Sequence, residues 1–413
     1  MIESPLKLGA VGLGRAFMLM LPTFTAHPRV RLVAAADPRP EARRRFEAEF
    51  GGTGYPTLEA MCADPEVDAV YIASPHQHHA EHAIVAARAG KHVLVEKPIA
   101  IALPECARMI ETAQSAGVRL LVGHSHSFDA PFLRARDIIA SGSHGEVKMI
   151  TALNFTDFMY RPRRPEELDT AQGGGVVFSQ GAHQVDIARL LGGGRATAIR
   201  ARTGAWDRAR PTEGAYSALL EFEGGAFATL TYSGYAHYDS DELTGWIGEL
   251  GHRKDPAKYG AVRAALRNGM SAEEEAALKM TRTYGAMDSA SAPPAGHNQF
   301  GMIIASCEHA DLRPLPTGVM VYDDTRAWLD PIPAPTIPRA EVIDEFCDAI
   351  AGTREPIHTG EWAMATLEVC LAILASSREG REVRLVHQVA VAATHGAADR
   401  RPQSLQGSNR CQD

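Results

Sequence analysis

No apolar run in this 413-residue sequence approaches the ~20 residues that a membrane-spanning helix needs. The opening Met1-Ile-Glu-Ser-Pro5 has neither the basic nor the apolar region of a secretory leader. Excess basic charge is missing too: 42 Lys and Arg stand against 50 Asp and Glu, for a net charge of −8. That balance argues against a nucleic-acid binder or a membrane-surface protein. Cysteine is sparse, with six residues at 62, 106, 307, 347, 370 and 411 and no CxxC pair. Neither a disulfide framework nor a zinc ribbon is expected from that spacing, and the thiols read as reduced. These absences leave a cytoplasmic globular protein with a small-molecule ligand. Its length favours two domains.

The first third alternates strands and helices, which predicts a doubly wound parallel sheet over residues 1–125. Leu6–Val11 reads as a strand, followed by Gly12-Leu13-Gly14-Arg15-Ala16-Phe17. This is a GxGxxG fingerprint with its third glycine replaced by Phe17. The two retained glycines suit a tight turn and close approach to a pyrophosphate, so residues 12–16 are candidate cofactor contacts. A second strand, 30–36, ends at Asp37, twenty-three residues after Gly14, where the fingerprint expects an acid for the adenosine ribose. Asp37 favours NAD over NADP. Arg39 and Arg43 follow closely and keep a 2′-phosphate possible. The bland reading of Asp37 is a loop cap before Pro38.

Later in this unit, Lys91–Pro98 reads as a buried strand, Val93-Leu94-Val95, that delivers Glu96 and Lys97 to its carboxyl end and stops at Pro98. Ligands of open α/β sheets sit outside the carboxyl ends of strands. An isolated Glu-Lys pair would ordinarily be a solvated strand end; its position here suggests chemistry. Four histidines, His76, His78, His79 and His82, follow Ser74-Pro75. His78 and His82 have zinc-ligand spacing, but only Glu81 stands near as a further donor, so no metal is expected and the cluster reads as a helix start beside the cofactor.

Beyond 125 the pattern changes to a helix over 130–141 and then strand-like runs at 146–157, 195–203, 214–222 and 226–236. Consecutive strands without helices predict an α+β domain on a largely antiparallel sheet, spanning 126–387. An excursion is expected at 245–300 with a helix near 272–283, then strands at 301–307 and 318–323, helices at 338–351 and 360–378, and a last strand at 381–386. Residues 388–413 read as a disordered tail. A triple glycine, Gly173-Gly174-Gly175, precedes Ser179, Gln180, His183 and Asp186, the last two sharing a helix face. Upstream, Tyr160-Arg-Pro-Arg-Arg-Pro165 packs Arg161, Arg163 and Arg164 into four residues. Guanidinium forks match carboxylates, so these are candidate substrate contacts.

Together, Gly12-Leu-Gly14, Ala73-Ser-Pro75…His79, Gly90–Pro98 and Gly173-Gly-Gly…His183-Gln-Val-Asp186 resemble the Gfo/Idh/MocA family of nicotinamide-dependent oxidoreductases. The resemblance implies that Lys97 and His183 are catalytic, with the nicotinamide beside Lys97. It further implies cofactor contacts from Ser74, Pro75, His79, Glu96 and Lys97 and substrate contacts from Gln180 and Asp186. One departure stands out: many members carry Asp four residues before the histidine, and this chain has Ser179. Phe178–Asp186 and the 150–170 and 300–323 segments resemble, more narrowly, the branch acting on carboxylated aromatic cis-dihydrodiols of the phthalate 4,5-dihydrodiol type. The expected reaction is oxidation of a ring alcohol to a catechol precursor, with His183 as base because its ordinary pKa lies near working pH and Lys97 as a charged stabiliser of the alkoxide. A sugar or cyclitol dehydrogenase and a non-catalytic nicotinamide-binding regulator are the alternatives. By analogy a homo-oligomer, dimer or tetramer, is expected.

Overall fold

The structure is a computed structural model that describes residues 4–267, 270–286 and 294–392. Six parallel strands form the first sheet: β1 (Leu6–Val11), β2 (Val30–Ala36), β3 (Thr53–Tyr55), β4 (Ala69–Ile72), β5 (His92–Val95) and β6 (Leu120–Val122). Their order is β3-β2-β1-β4-β5-β6. The order reverses between β1 and β4, and the crevice at such a switch point is where a dinucleotide lies. β4 is fully buried, as a strand covered on both faces by helices must be. Those helices are α1 (Arg15–Ala26), α2 (Pro40–Phe50), α3 (Leu58–Cys62), α4 (His79–Arg88) and α5 (Leu103–Ser115).

The second sheet has nine strands. In chain order they are β7 (Val147–Phe155), β8 (Ala196–Gly204), β9 (Ala215–Phe222), β10 (Phe227–Ser233), β11 (Met302–Cys307), β12 (Ala310–Leu315), β13 (Gly318–Asp323), β14 (Ala327–Pro331) and β15 (Val383–Arg384). The strand order is β14-β13-β12-β11-β7-β10-β9-β8-β15, antiparallel throughout except where β7 and β10 run parallel. The final strand predicted over 381–386 shrinks to two residues. β12 and β14, short and each ending in or next to a proline, were not anticipated. Alternating residues of the sheet turn inward, onto α6 (Ala130–Ala140) and α7 (Ala182–Leu191) among others.

Between β10 and β11 the chain makes its excursion, carrying α8 (Ala261–Arg267) and α9 (Ala272–Met280). It is a packed element. Tyr284 is fully buried against the ring of Phe17, with centroids 5.4 Å apart, and its hydroxyl donates to Glu49 at 2.7 Å. Phe17, at the position of the missing glycine, thus faces an aromatic brought in from the second domain.

Two C-terminal helices, α10 (Ala340–Ala351) and α11 (Gly360–Glu379), close the structure. Val342, Ile343, Phe346 and Cys347 form one apolar stripe on α10, and that stripe is buried in the core of the first domain. The unit expected over 126–387 therefore returns to cover the first. Order also extends past 387: Gln388 donates to Glu368 at 2.7 Å and accepts from Arg189, while the Val391 amide donates to Gly193. The remainder of the expected tail, 393–413, lies outside the described residues. No helix among those described is long and apolar enough to cross a membrane.

Candidate active site

The β1–α1 turn is built for an anion. Gly12 has φ +82°, and a Cβ there would lie 2.8 Å from the Ser74 amide nitrogen at the end of β4, so glycine is required twice over. Gly14 caps α1 without any side-chain acceptor for the first helical amides, and the nearest atom to a Cβ there is 3.9 Å away. Free amides beside open space at a helix start suit a pyrophosphate. Leu13 is buried, Ala16 half-buried and Arg15 exposed. Although Arg15 is exposed as a whole, desolvation by the surrounding protein, then the charges of Arg282 and Arg339, hold its guanidinium below its ordinary pKa, a cationic convergence that an anion would relieve.

Asp37 is buried, accepts from the Leu13 amide at 2.8 Å, and is gripped by Arg39 through Nε at 2.9 Å. Arg39 also donates to Thr283 at 2.8 Å. The excursion thus touches the adenosine end of the crevice. Asp37 also accepts from the Arg39 amide at 2.9 Å, so it caps the turn before α2 as well as pairing with the Arg39 guanidinium.

Several expected contacts turn out to hold the fold. His79 is fully buried, with Nδ1 2.8 Å from the Pro98 carbonyl and Nε2 2.9 Å from that of Ser74. It braces the Ser74-Pro75 and Lys97-Pro98 corners and does not face the crevice. Burial pushes it down to about 4. The other histidines of that cluster point elsewhere: His82 to the Ser74 hydroxyl at 2.9 Å, His76 to the Gly173 carbonyl at 3.4 Å. Glu96, expected at the cofactor, is buried and accepts from the Tyr71 hydroxyl at 2.7 Å and the His124 amide at 3.4 Å; burial raises its pKa. Asp186, expected at the substrate, accepts from Trp362 Nε1 at 2.5 Å, from Thr366 at 2.8 Å and from Ser127. Three donors inside the core occupy that carboxylate where it lines a cavity with Lys97, Ser125 and Trp362. Arg164 turns to its own helical turn, pairing with Glu166 at 3.1 Å and Glu167 at 3.5 Å.

The remaining residues converge. Lys97 Nζ, half-buried at the end of β5, donates to the Ser179 carbonyl at 2.7 Å, on a turn of π-helix over Val177–Gly181 that also carries buried Gln180. Such turns recur at functional sites. Burial is the largest influence on Lys97 and lowers its pKa, Glu96 and Glu249 opposing. His183 opens α7 and is buried. Its Nδ1 accepts from the His126 amide at 3.3 Å. Burial, then Lys97 and two neighbouring histidines, hold its pKa well down. A neutral imidazole whose Nδ1 accepts must carry its proton on Nε2.

Those neighbouring histidines were missed. The segment 123–129, Gly-His-Ser-His-Ser-Phe-Asp, follows β6 directly, and its carboxyl-end position was the available signal. His126 Nδ1 lies 2.6 Å from Asp129 and His124 Nε2 lies 2.9 Å from the same carboxylate. The two imidazoles hold Asp129 far below the carboxylate range, overcoming its burial. Facing them from the excursion is Glu249, 3.4 Å from His126 Nε2 and 3.5 Å from Arg161 Nη1. Nothing in its local sequence marks it. Donor atoms of His126, His183 and Glu249 lie within 4.8 Å of one another. With Nδ1 of His183 taken by an amide and its Nε2 protonated, that trio presents two lone-pair donors, one fewer than a zinc site draws from protein.

Arg163 completes the cluster. Its guanidinium stacks 3.6 Å from the Phe158 ring centroid, its Nη2 donates to the Phe158 carbonyl at 2.7 Å, and its Nε is buried with no partner. Burial depresses it to about 10, and its charge is felt at Lys97. Arg161, by contrast, is paired with Asp157 at 3.3 Å as well as Glu249.

Comparison with known proteins matches residues 6–124 to the oxidoreductase family NAD-binding Rossmann fold of GFO/IDH/MocA, and residues 132–252 to the GFO/IDH/MocA C-terminal domain. The chain belongs to this family. As a GFO/IDH/MocA member it is an oxidoreductase whose first domain is of the nicotinamide-dinucleotide-binding kind. It is 49% identical over 391 residues to 1-carboxy-3-chloro-3,4-dihydroxycyclohexa-1,5-diene dehydrogenase of Comamonas testosteroni, covering 94% of this chain and 98% of that one. A dehydrogenase structure from Bordetella bronchiseptica RB50 superposes with a TM-score of 0.87 at 44% identity, covering 92% of this chain and 100% of that one. Aldose-aldose oxidoreductase from Caulobacter crescentus shares the fold, with a TM-score of 0.69 at 24% identity, covering 92% of this chain and 100% of that one.

Proposed function

We propose that the protein is a dehydrogenase that oxidises a carboxylated aromatic cis-dihydrodiol, of the phthalate 4,5-dihydrodiol type, with NAD as the preferred acceptor. The observation that carries this reading is Arg163. A buried guanidinium with an unsatisfied Nε, close enough to Lys97 to be felt by it, calls for an anion. A ring carboxylate supplies one. Glu167 opposes the Arg163 charge from a distance, but a neutral sugar or cyclitol would leave its buried Nε without a charged acceptor. The 49% identical Comamonas testosteroni dehydrogenase, whose named substrate carries a carboxyl group and a diol, supports the same choice.

The roles follow from hydrogen-bond arithmetic. His183, with Nδ1 accepting and Nε2 protonated, serves as a donor to the substrate oxygen and not as the base its ordinary pKa suggested. Lys97, whose pKa burial lowers, takes the hydroxyl proton on its neutral amine while the Ser179 carbonyl holds another of its hydrogens. A nicotinamide bound beside Lys97 supplies the hydride acceptor. The hydroxy-dienone formed then tautomerises to a catechol, and aromaticity makes the direction effectively irreversible. Arg163 orients the ring by its carboxylate.

Met149, Leu219, Phe227, Tyr322 and Leu329 are exposed on the outward face of the nine-stranded sheet, which supports a homo-oligomer joined there. The test of the function is reduced-cofactor formation with a panel of carboxylated dihydrodiols, uncarboxylated dihydrodiols and polyols. Turnover of polyols alone, or of nothing, removes the proposal.

A further inference from the structure

The reading above accounts for the reacting hydroxyl and the ring carboxylate, but a cis-diol has a second hydroxyl. We propose that Glu249 accepts the hydrogen of that non-reacting hydroxyl, and so is the residue through which this site selects vicinal diols over single alcohols. The inference rests on the dehydrogenase reading.

Other acids near the site are spent. Asp186 is saturated by Trp362, Thr366 and Ser127; Asp129 is clamped between His124 and His126 and also accepts from Asn298 at 3.1 Å; Glu96 is held by Tyr71. At 179, where an acid was expected, Ser179 turns its hydroxyl back to the Gly175 carbonyl. Glu249 differs. Its two contacts, 3.4 Å to His126 and 3.5 Å to Arg161, are ion pairs longer than the ~2.7–2.9 Å of a close charge-assisted hydrogen bond. Lone pairs therefore remain for a hydroxyl. Its side chain keeps 26% of its exposure, so the carboxylate is reachable.

Spacing agrees. A carboxylate oxygen of Glu249 and a ring nitrogen of His183 lie within 4.8 Å. Vicinal oxygens sit about 2.8 Å apart, and each needs a partner at about 2.7–3 Å. Groups no more than 4.8 Å apart can therefore each hold one oxygen of the same diol. Charge agrees as well: the hydrogen bond from His126 and the Arg161 cation hold Glu249 down to about 2, so it is an ionised acceptor across the working range.

The experiment compares kcat/KM for a carboxylated cis-dihydrodiol and for its analogue lacking the second hydroxyl, on wild type, Glu249→Gln and Glu249→Asp. Binding of a 3,4-dihydroxybenzoate and a 3-hydroxybenzoate as product-like probes gives a readout independent of turnover. Wild type is expected to prefer the diol, and Glu249→Gln to lose about ten- to a hundredfold of that preference in both measurements. If Glu249→Gln does not fold, Glu249→Asp carries the test, since a shortened arm should also erode the preference. Unchanged diol-to-monool ratios in the folded variants overturn the inference while leaving the dehydrogenase reading intact. A wild type that oxidises no dihydrodiol overturns both, and is recognised by the first measurement alone.

Discussion

Lys97 Nζ donates to the main-chain carbonyl of Ser179 at 2.7 Å, so position 179 serves the lysine through its backbone and not through a side-chain carboxylate. The absent acid leaves Lys97 less stabilised as a cation, consistent with burial being the largest influence on it. The carboxylates whose charge reaches Lys97 are instead Glu96 and Glu249, the latter on another segment of the chain.

The first prediction concerns that lysine. Lys97→Met should lower kcat by roughly 10²–10⁴ with the fold retained. Because its folded pKa is depressed, the wild-type kcat/KM should climb with pH through a midpoint below the ordinary ~10.4 of lysine. His183→Ala should cost roughly 10² while cofactor binding persists. A flat pH profile together with an active Lys97→Met would show that the base lies elsewhere.

The arginines should separate cleanly. Arg163→Ala is expected to raise KM for carboxylated substrates about ten- to a hundredfold, the loss of one charge-assisted pair. Arg164→Ala, whose partners are Glu166 and Glu167, should change KM little. Steady-state kinetics on both variants with carboxylated and uncarboxylated dihydrodiols decides it; equal effects would mean that the cluster is structural.

For the cofactor, the wild type should bind NAD at least about tenfold more tightly than NADP if Asp37, though paired with Arg39, disfavours a 2′-phosphate at the end of β2. Asp37→Ala should narrow that gap by weakening NAD. Fluorescence titration with both dinucleotides measures it, and equal affinities of the unmutated protein would refute the assignment.

Acid lability follows from the buried imidazoles. His76, His79 and His124 are pushed down to about 3, 4 and 4, mainly by burial, against 6.5 when unfolded. Between pH 6.5 and 4 the unfolded chain binds more protons at these sites, so stability falls as pH falls. His126, raised by Asp129 and Glu249, runs the other way: its contribution is complete below 6.5 and is lost as pH rises through its folded pKa. With His183, also held well down, four lowered imidazoles outweigh the one raised. Thermal unfolding at pH 7, 5.5 and 4 should show a progressive drop in Tm, and a Tm that holds to pH 4 would contradict the burial of these rings.

Much of the architecture was legible because it is written locally. A strand followed by Gly12 and Gly14, an acid at Asp37, and a lysine delivered by a buried strand before Pro98 are short-range patterns, each with its own steric or electrostatic reason. So are the helices 340–351 and 360–379, expected within two residues of their ends. Roles were less legible. His79, Glu96 and Asp186 look from sequence like site residues, and all three spend their polar atoms inside the fold.

What the sequence determined alone, then, was the first domain, the family resemblance and the identity of Lys97 and His183 as candidates. Tertiary structure decided the rest. Only folding brings Glu249 from the excursion against His126 and Arg161, 123 and 88 residues earlier in the chain, and leaves Arg163 Nε without a partner among the described residues while Arg164 pairs with two carboxylates. Periodicity reports which face of an element is buried. Whether a charged group meets a partner depends on what arrives from distant segments, and that is set by packing.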